Sequence, residues 1–153
     1  MAIEVQAPKS YTTEKYSIFL GGAIDMGHEK TQWQKRVVKA LGDLDVLVLN
    51  PRRDDWDESW EQCKNCEPFR EQVLWEIKAQ EDCDLLLYVY LKDSKAPITM
   101  FENGAWGTKK DCIMCVEEGF WKKANLDIYA EHFKIQNYSS LDDMIADLRT
   151  ALR

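Results

Sequence analysis

The stretch DLLLYVYL, residues 84–91, decides how the rest of the chain is read. Seven apolar or aromatic side chains follow an aspartate, with no polar residue at alternate positions. A strand with one face in water alternates, whereas a short unbroken apolar run fits a strand covered on both faces. Such strands belong to parallel sheets, whose crossover connections lay helices on either side.

The flanking segments agree. On the amino side, PFREQVLWEIKAQED (68–82) opens with a proline suited to a helix start and places Phe69, Val73 and Ile77 on one face. On the carboxyl side, ITMFENGAWGTKK (98–110) reads as a shorter, largely apolar helix, followed by the strand DCIMCV (111–116). Upstream lie a strand in IFLGGAIDMG (18–27) that ends in a glycine turn, a helix in TQWQKRVVKAL (31–41) and the strand DVLVLN (45–50). Downstream, HFKIQNY (132–138) reads as a last strand, and SLDDMIADLRTAL (140–152) as a helix capped by Ser140. Strand and helix alternate throughout. The expected fold is therefore α/β, a flavodoxin/Rossmann-like open parallel sheet with helices on both faces, in a single domain over residues 1–153. Residues 1–15 read as an extended arm.

Composition narrows the partners. A formal charge of −7 with no basic run argues against nucleic acid. The opening MAIEVQAPKSYTTEKYS has no signal-type apolar core, and no apolar run reaches membrane-spanning length, so a cytoplasmic protein without membrane contact is expected. Five cysteines include two C-x-x-C pairs. Cys112 and Cys115 sit three apart on a strand and so point to opposite faces, while Cys63 and Cys66 alone do not complete a zinc site. No metal or cofactor is expected, and the thiols read as free and inert.

Ligands in open α/β sheets lie beyond the strands' carboxyl ends. That places Gly21, Gly22, Asn50 and the KDSKAPITMFENG segment (92–104) around one cleft. Glu102 stands out, because a carboxylate on an apolar helix is costly to desolvate unless it is paired or used. Glu76, beside Trp75, is either a second cleft carboxylate or an ordinary solvated helix residue. Two clefted carboxylates suit glycosidic-bond chemistry, one as nucleophile and one serving the leaving group. The 17-residue segment 51–67 is long for such a connection, and its Trp56 and Trp60 either pin it or offer a stacking face.

The ordered set IFLGGAIDMG, LNPRRDDW, FREQVLWEI, APITMFENG and EEGFWKKANLD resembles the nucleoside 2-deoxyribosyltransferase-like family over most of the chain. The resemblance implies that Glu102, in Glu102-Asn103-Gly104, is the nucleophile. It implies that Glu76, eight residues before Asp84, binds substrate and protonates the leaving base. It implies that Asn125 reaches a neighbouring subunit's site, in at least a homodimer. The expected substrates are a small deoxynucleoside and a free nucleobase, contacted by Gly21, Gly22, Asp25, Asn50, Arg53, Trp56, Asp84 and Asn125. The sequence departs from the family at three points. Phe19 stands where the first strand often carries a tyrosine that positions the nucleophile. Ala96 stands six before Glu102, where a small polar or acidic residue is common. Ala23 and Asp25 stand where related nucleotide hydrolases hold a 5'-phosphate with serine and arginine, which favours a nucleoside, although Arg52 and Arg53 remain able to meet a phosphate. Hydrolysis by the same glutamate, or a nucleotide-binding module that has lost catalysis, are the alternative outcomes.

Overall fold

The computed structural model describes residues 1–23 and 32–153. Among them are six strands and five helices: β1 Ile3–Gln6, β2 Tyr16–Gly22, α1 Trp33–Ala40, β3 Val46–Asn50, α2 Phe69–Asp82, β4 Leu85–Tyr90, α3 Pro97–Trp106, β5 Cys112–Val116, α4 Lys123–Phe133, β6 Gln136–Tyr138 and α5 Leu141–Leu152. The strands form one sheet in the order β1-β3-β2-β4-β5-β6. Every pairing is parallel. This is the flavodoxin-like α/β arrangement that the pattern predicts, with all carboxyl ends along one edge. β4 lies at its centre, and all six of its residues are buried.

Alternate residues of the central strands feed two cores. Ile18, Leu20, Val48, Leu87 and Val89 pack with Trp33 and Val37 from α1, with Leu41 just after it, and with Leu141, Met144 and Leu148 from α5. Phe19, Leu49, Leu86, Tyr88 and Tyr90 pack on the other face with Trp75 and Ala79 from α2 and Ala130 from α4. Cys115 lies in the first core and Cys112 packs against the second, as their strand spacing predicts. The Ser140 hydroxyl accepts the amide N–H of Asp143 at 3.3 Å and caps α5.

Several expectations need correction. The N-terminal arm contributes β1, which pairs with β3 from Ile3 to Gln6 and supplies an edge strand. The glycines at 21 and 22 do not form a turn. β2 runs through both, and they pair with Tyr88 and Val89. The segment after β5 folds as α4, which the sequence reading left unassigned; its charged and aromatic residues show no clear apolar stripe. Cys63 and Cys66 are joined as a disulfide rather than free, brought together by a turn in which the Cys66 amide donates to the Cys63 carbonyl at 3.1 Å.

The buried faces of α2 and α3 are also not the apolar ones. In α2 the buried residues are Gln72, Trp75, Ala79 and Gln80, while Val73, Leu74 and Ile77 are exposed. In α3, Thr99 and Asn103 are buried, whereas Ile98 and Phe101 are 66% and 76% exposed. The inversion has a physical cause: polar groups turned inward find partners there. Gln72 Nε2 donates to the Pro51 carbonyl at 2.8 Å, and Asn103 Nδ2 donates to the Tyr90 hydroxyl at 2.8 Å. The Asn103 amide so bonded costs little, whereas Gln72 Oε1 is buried without a partner among the described residues.

Candidate active site

Helices α2 and α3, with the segment that follows β3, enclose a cleft of about 580 Å³. Glu76 and Glu102 line it, together with Arg53, Trp56, Gln72, Gln80, Phe101 and Trp106. The two carboxylates come from different helices and share this space with mainly apolar neighbours. Neither is a solvated helix residue; each is half-buried.

Gln80 sits between them. Its Nε2 donates to Glu102 Oε2 at 2.7 Å and to the Glu76 backbone carbonyl at 3.1 Å. Its Oε1 accepts the Tyr88 hydroxyl at 2.7 Å. Among the described residues, Glu76 receives only a long 3.5 Å contact from Gln72 Nε2.

Electrostatics follows from these contacts. Burial pushes the Glu76 carboxyl up to about 8, the nearby Glu102 charge adds to the rise, and the Gln72 contact opposes it weakly. Burial pushes Glu102 up to about 7, against the Gln80 hydrogen bond, which favours the ionised form. Two carboxyls in one poorly hydrated space resist holding two negative charges. The better-bonded Glu102 is the one disposed to ionise, and Glu76 is the one disposed to keep the proton. An acid and a nucleophile at neutral pH require this division.

The cleft's far wall is the segment after β3. Arg53 is 7% exposed and is held by Asp55 through two 3.0 Å bonds. Its guanidinium lies 5.9 Å from the Trp56 ring and 5.2 Å from Trp60, and the two rings meet edge to face at 4.9 Å. Trp60 and Arg53 brace the segment, and Trp56 also lines the cleft.

Other residues singled out in the sequence do other work. Asp84 precedes β4 at the amino edge of the sheet, opposite the carboxyl ends, where its Oδ2 accepts the Ser17 amide at 2.9 Å and the Ser17 hydroxyl at 3.1 Å. It ties β4 to β2 and does not line the cleft. Asn50 is buried and turns the chain, accepting the Arg52 amide at 3.0 Å and donating to Glu4 at 2.9 Å. The glycines make room for protein rings. A Cβ on Gly21 would stand 2.4 Å from Tyr88 Cδ1, and one on Gly22 would stand 2.4 Å from Trp33 Cζ2. Asn125 is exposed on the first turn of α4 and does not line its own chain's cleft. Asp25 lies outside the described residues. Ala96 adopts a left-handed φ of 46° and starts α3 before Pro97. The sequence reading missed Gln72, Gln80 and Tyr88. A glutamine every fourth position around Glu76 was the available signal, hidden because the apolar residues were assumed to face inward.

The family model described as nucleoside 2-deoxyribosyltransferase like matches residues 15–120, which spans β2 to the loop after β5 and includes both cleft carboxylates. The chain belongs to that family. Its general function is thus that of a pentosyltransferase-type enzyme acting on nucleosides and nucleobases. No curated protein matches the chain. Among the described residues, no helix is long and apolar enough to cross a membrane.

Proposed function

We propose that this chain is a nucleoside 2-deoxyribosyltransferase that cleaves the N-glycosidic bond of a 2'-deoxynucleoside and passes the sugar to another base. The observation that carries the reading is the unequal carboxyl pair in the cleft, with Glu102 hydrogen-bonded by Gln80 at 2.7 Å and Glu76 met among the described residues by a 3.5 Å contact from Gln72. Glu102, ionised, attacks the anomeric carbon and forms a glycosyl ester. The carbon–nitrogen bond breaks, its electron pair leaves with the base, and the Glu76 proton goes to that base. The acceptor base then attacks the same carbon, expels the Glu102 carboxylate and returns a proton to Glu76. Trp56 supplies an aromatic face for the base, and the apolar walls exclude water that would otherwise take the sugar.

The enzyme works as a homodimer or larger homo-oligomer. Ile98, Phe101, Leu74 and Ile77 are exposed large apolar side chains on the two cleft helices, and a second copy is the partner that would cover them. Asn125 then serves the neighbour's cleft. Incubation with deoxyinosine, with and without adenine, tests the activity. New deoxyadenosine supports transfer. Free hypoxanthine alone would mean hydrolysis, and neither product would mean a binding module.

A further inference from the structure

We propose that Tyr88, acting through Gln80, is the positioning residue that holds Glu102 for attack, a role β4 fills here in place of the first-strand tyrosine that Phe19 replaces. The inference rests on Glu102 being the nucleophile.

The geometry permits one direction of hydrogen bonding. Tyr88 Oη, Gln80 and Glu102 Oε2 are linked by two 2.7 Å contacts. Gln80 is 1% exposed, so water does not complete its bonding. With Nε2 facing Glu102 Oε2 and the Glu76 carbonyl, both amide hydrogens meet acceptors and Oε1 meets a hydroxyl donor. Rotating the amide would set its oxygen against two acceptors, Glu102 Oε2 and the Glu76 carbonyl. The Tyr88 hydroxyl satisfies the remaining buried atom, Oε1, and so anchors the amide in the orientation that serves Glu102. Burial and the Glu102 charge hold Tyr88 protonated, so it remains a donor.

The sheet is shaped for this. Gly21 pairs with Tyr88, and the ring occupies the volume a Gly21 Cβ would need. Two residues on, the Tyr90 hydroxyl accepts Asn103 Nδ2 at 2.8 Å, next to Glu102 in α3. Phe19 packs in the same core and has no hydroxyl to offer. Two tyrosines on one face of β4 therefore fix the polar residues on both sides of Glu102. Among the described residues, the titratable or charged groups around that carboxyl are Glu76 from α2 and Tyr88 and Tyr90 from β4, with Arg53 also lining the cleft.

Tyr88→Phe keeps the ring and removes the hydroxyl. Carbon-13 NMR of labelled glutamate carboxyls, with Glu102→Gln assigning the signal, reads Glu102 directly. The expected result is a Glu102 titration moved upward, by up to about one pH unit, because the amide loses the donor that anchors and polarises it through Oε1 and so bonds the carboxylate less strongly. Gln80→Met should do the same, and the double variant should add nothing further. In deoxyinosine–adenine exchange, kcat should fall about tenfold with KM within about twofold, as expected for loss of a group acting on the attacking atom. An unmoved Glu102 titration in both single variants would overturn the proposal, as would fully additive effects. A purely structural tyrosine would lower the melting temperature and leave the titration alone. The nucleophile reading fails separately: Glu102→Ala with activity retained would refute it, whatever the titration shows.

Discussion

Gly21→Ala should destabilise the protein strongly. The new Cβ would meet Tyr88 Cδ1 at 2.4 Å, Tyr88 Cε1 at 2.7 Å and Phe19 Cε1 at 3.3 Å. Real carbon pairs sit near 3.5–4.0 Å, so something must move by about an ångström. Gly21 lies in β2 paired with Tyr88 of β4, and the Tyr88 ring is fully buried with its hydroxyl tied to Gln80. Overpacking of this kind costs about 1–3 kcal/mol, and losing the Tyr88 hydrogen bond adds about 1 kcal/mol. At about 2–4 °C per kcal/mol for a chain of this size, the melting temperature should fall by roughly 4–16 °C. Circular dichroism melts and urea titration measure it. Gly21→Ala combined with Tyr88→Val should recover part of the loss, because the smaller side chain vacates the contested volume. A melting temperature within about 1 °C of wild type, with only KM for the nucleoside raised, would refute internal packing as the reason for the glycine and restore the ligand-approach reading.

Asp84→Ala should cost about 1–3 kcal/mol of stability by leaving the buried Ser17 amide unsatisfied, while KM stays unchanged; urea denaturation with steady-state kinetics checks both. Glu76 and Glu102 bind protons more tightly in the folded chain than unfolded, where each would titrate near 4.5, so stability should fall as pH rises from about 4.5 through about 8. Glu76→Gln removes one of those protons from the balance, so melts at pH 6 and pH 9 should differ less than in wild type, and the alkaline loss of activity should be blunted for bases that leave easily. Phe101→Asp should shift the light-scattering mass from an oligomer towards a single chain of 17.9 kDa, and a wild-type protein already at that mass and fully active would remove the shared site. Mixing inactive Glu102→Ala with inactive Asn125→Ala chains should restore some activity if Asn125 serves its neighbour.

The sheet was legible because an unbroken apolar run cannot alternate, and DLLLYVYL therefore announced a covered central strand. The pair Glu76 and Glu102 was legible for chemical reasons, as carboxylates beside large apolar residues. The inward faces of α2 and α3 were not legible. Periodicity assigns apolar residues to the core, and here Gln72, Gln80 and Asn103 hold such places through side-chain hydrogen bonds to the Pro51 carbonyl, Tyr88 and Tyr90, partners that only the folded chain brings against these helices. The same blindness turned two glycines into a turn. The volume that makes them necessary belongs to Tyr88 and Trp33, and only the folded sheet brings those rings against β2. β1 was missed because an exposed edge strand of four residues carries little pattern.

The central claim is a covalent sugar on Glu102. A 2'-fluorinated deoxynucleoside slows departure of the sugar from an enzyme ester, because the fluorine destabilises the oxocarbenium-like transition state. Intact-mass and peptide mass spectrometry after incubation with such a nucleoside should show one fluorodeoxypentosyl group per chain, carried by the peptide containing Glu102 and released when a free base is added. An adduct on another residue, or none at all while base exchange with ordinary deoxynucleosides proceeds, would contradict the account.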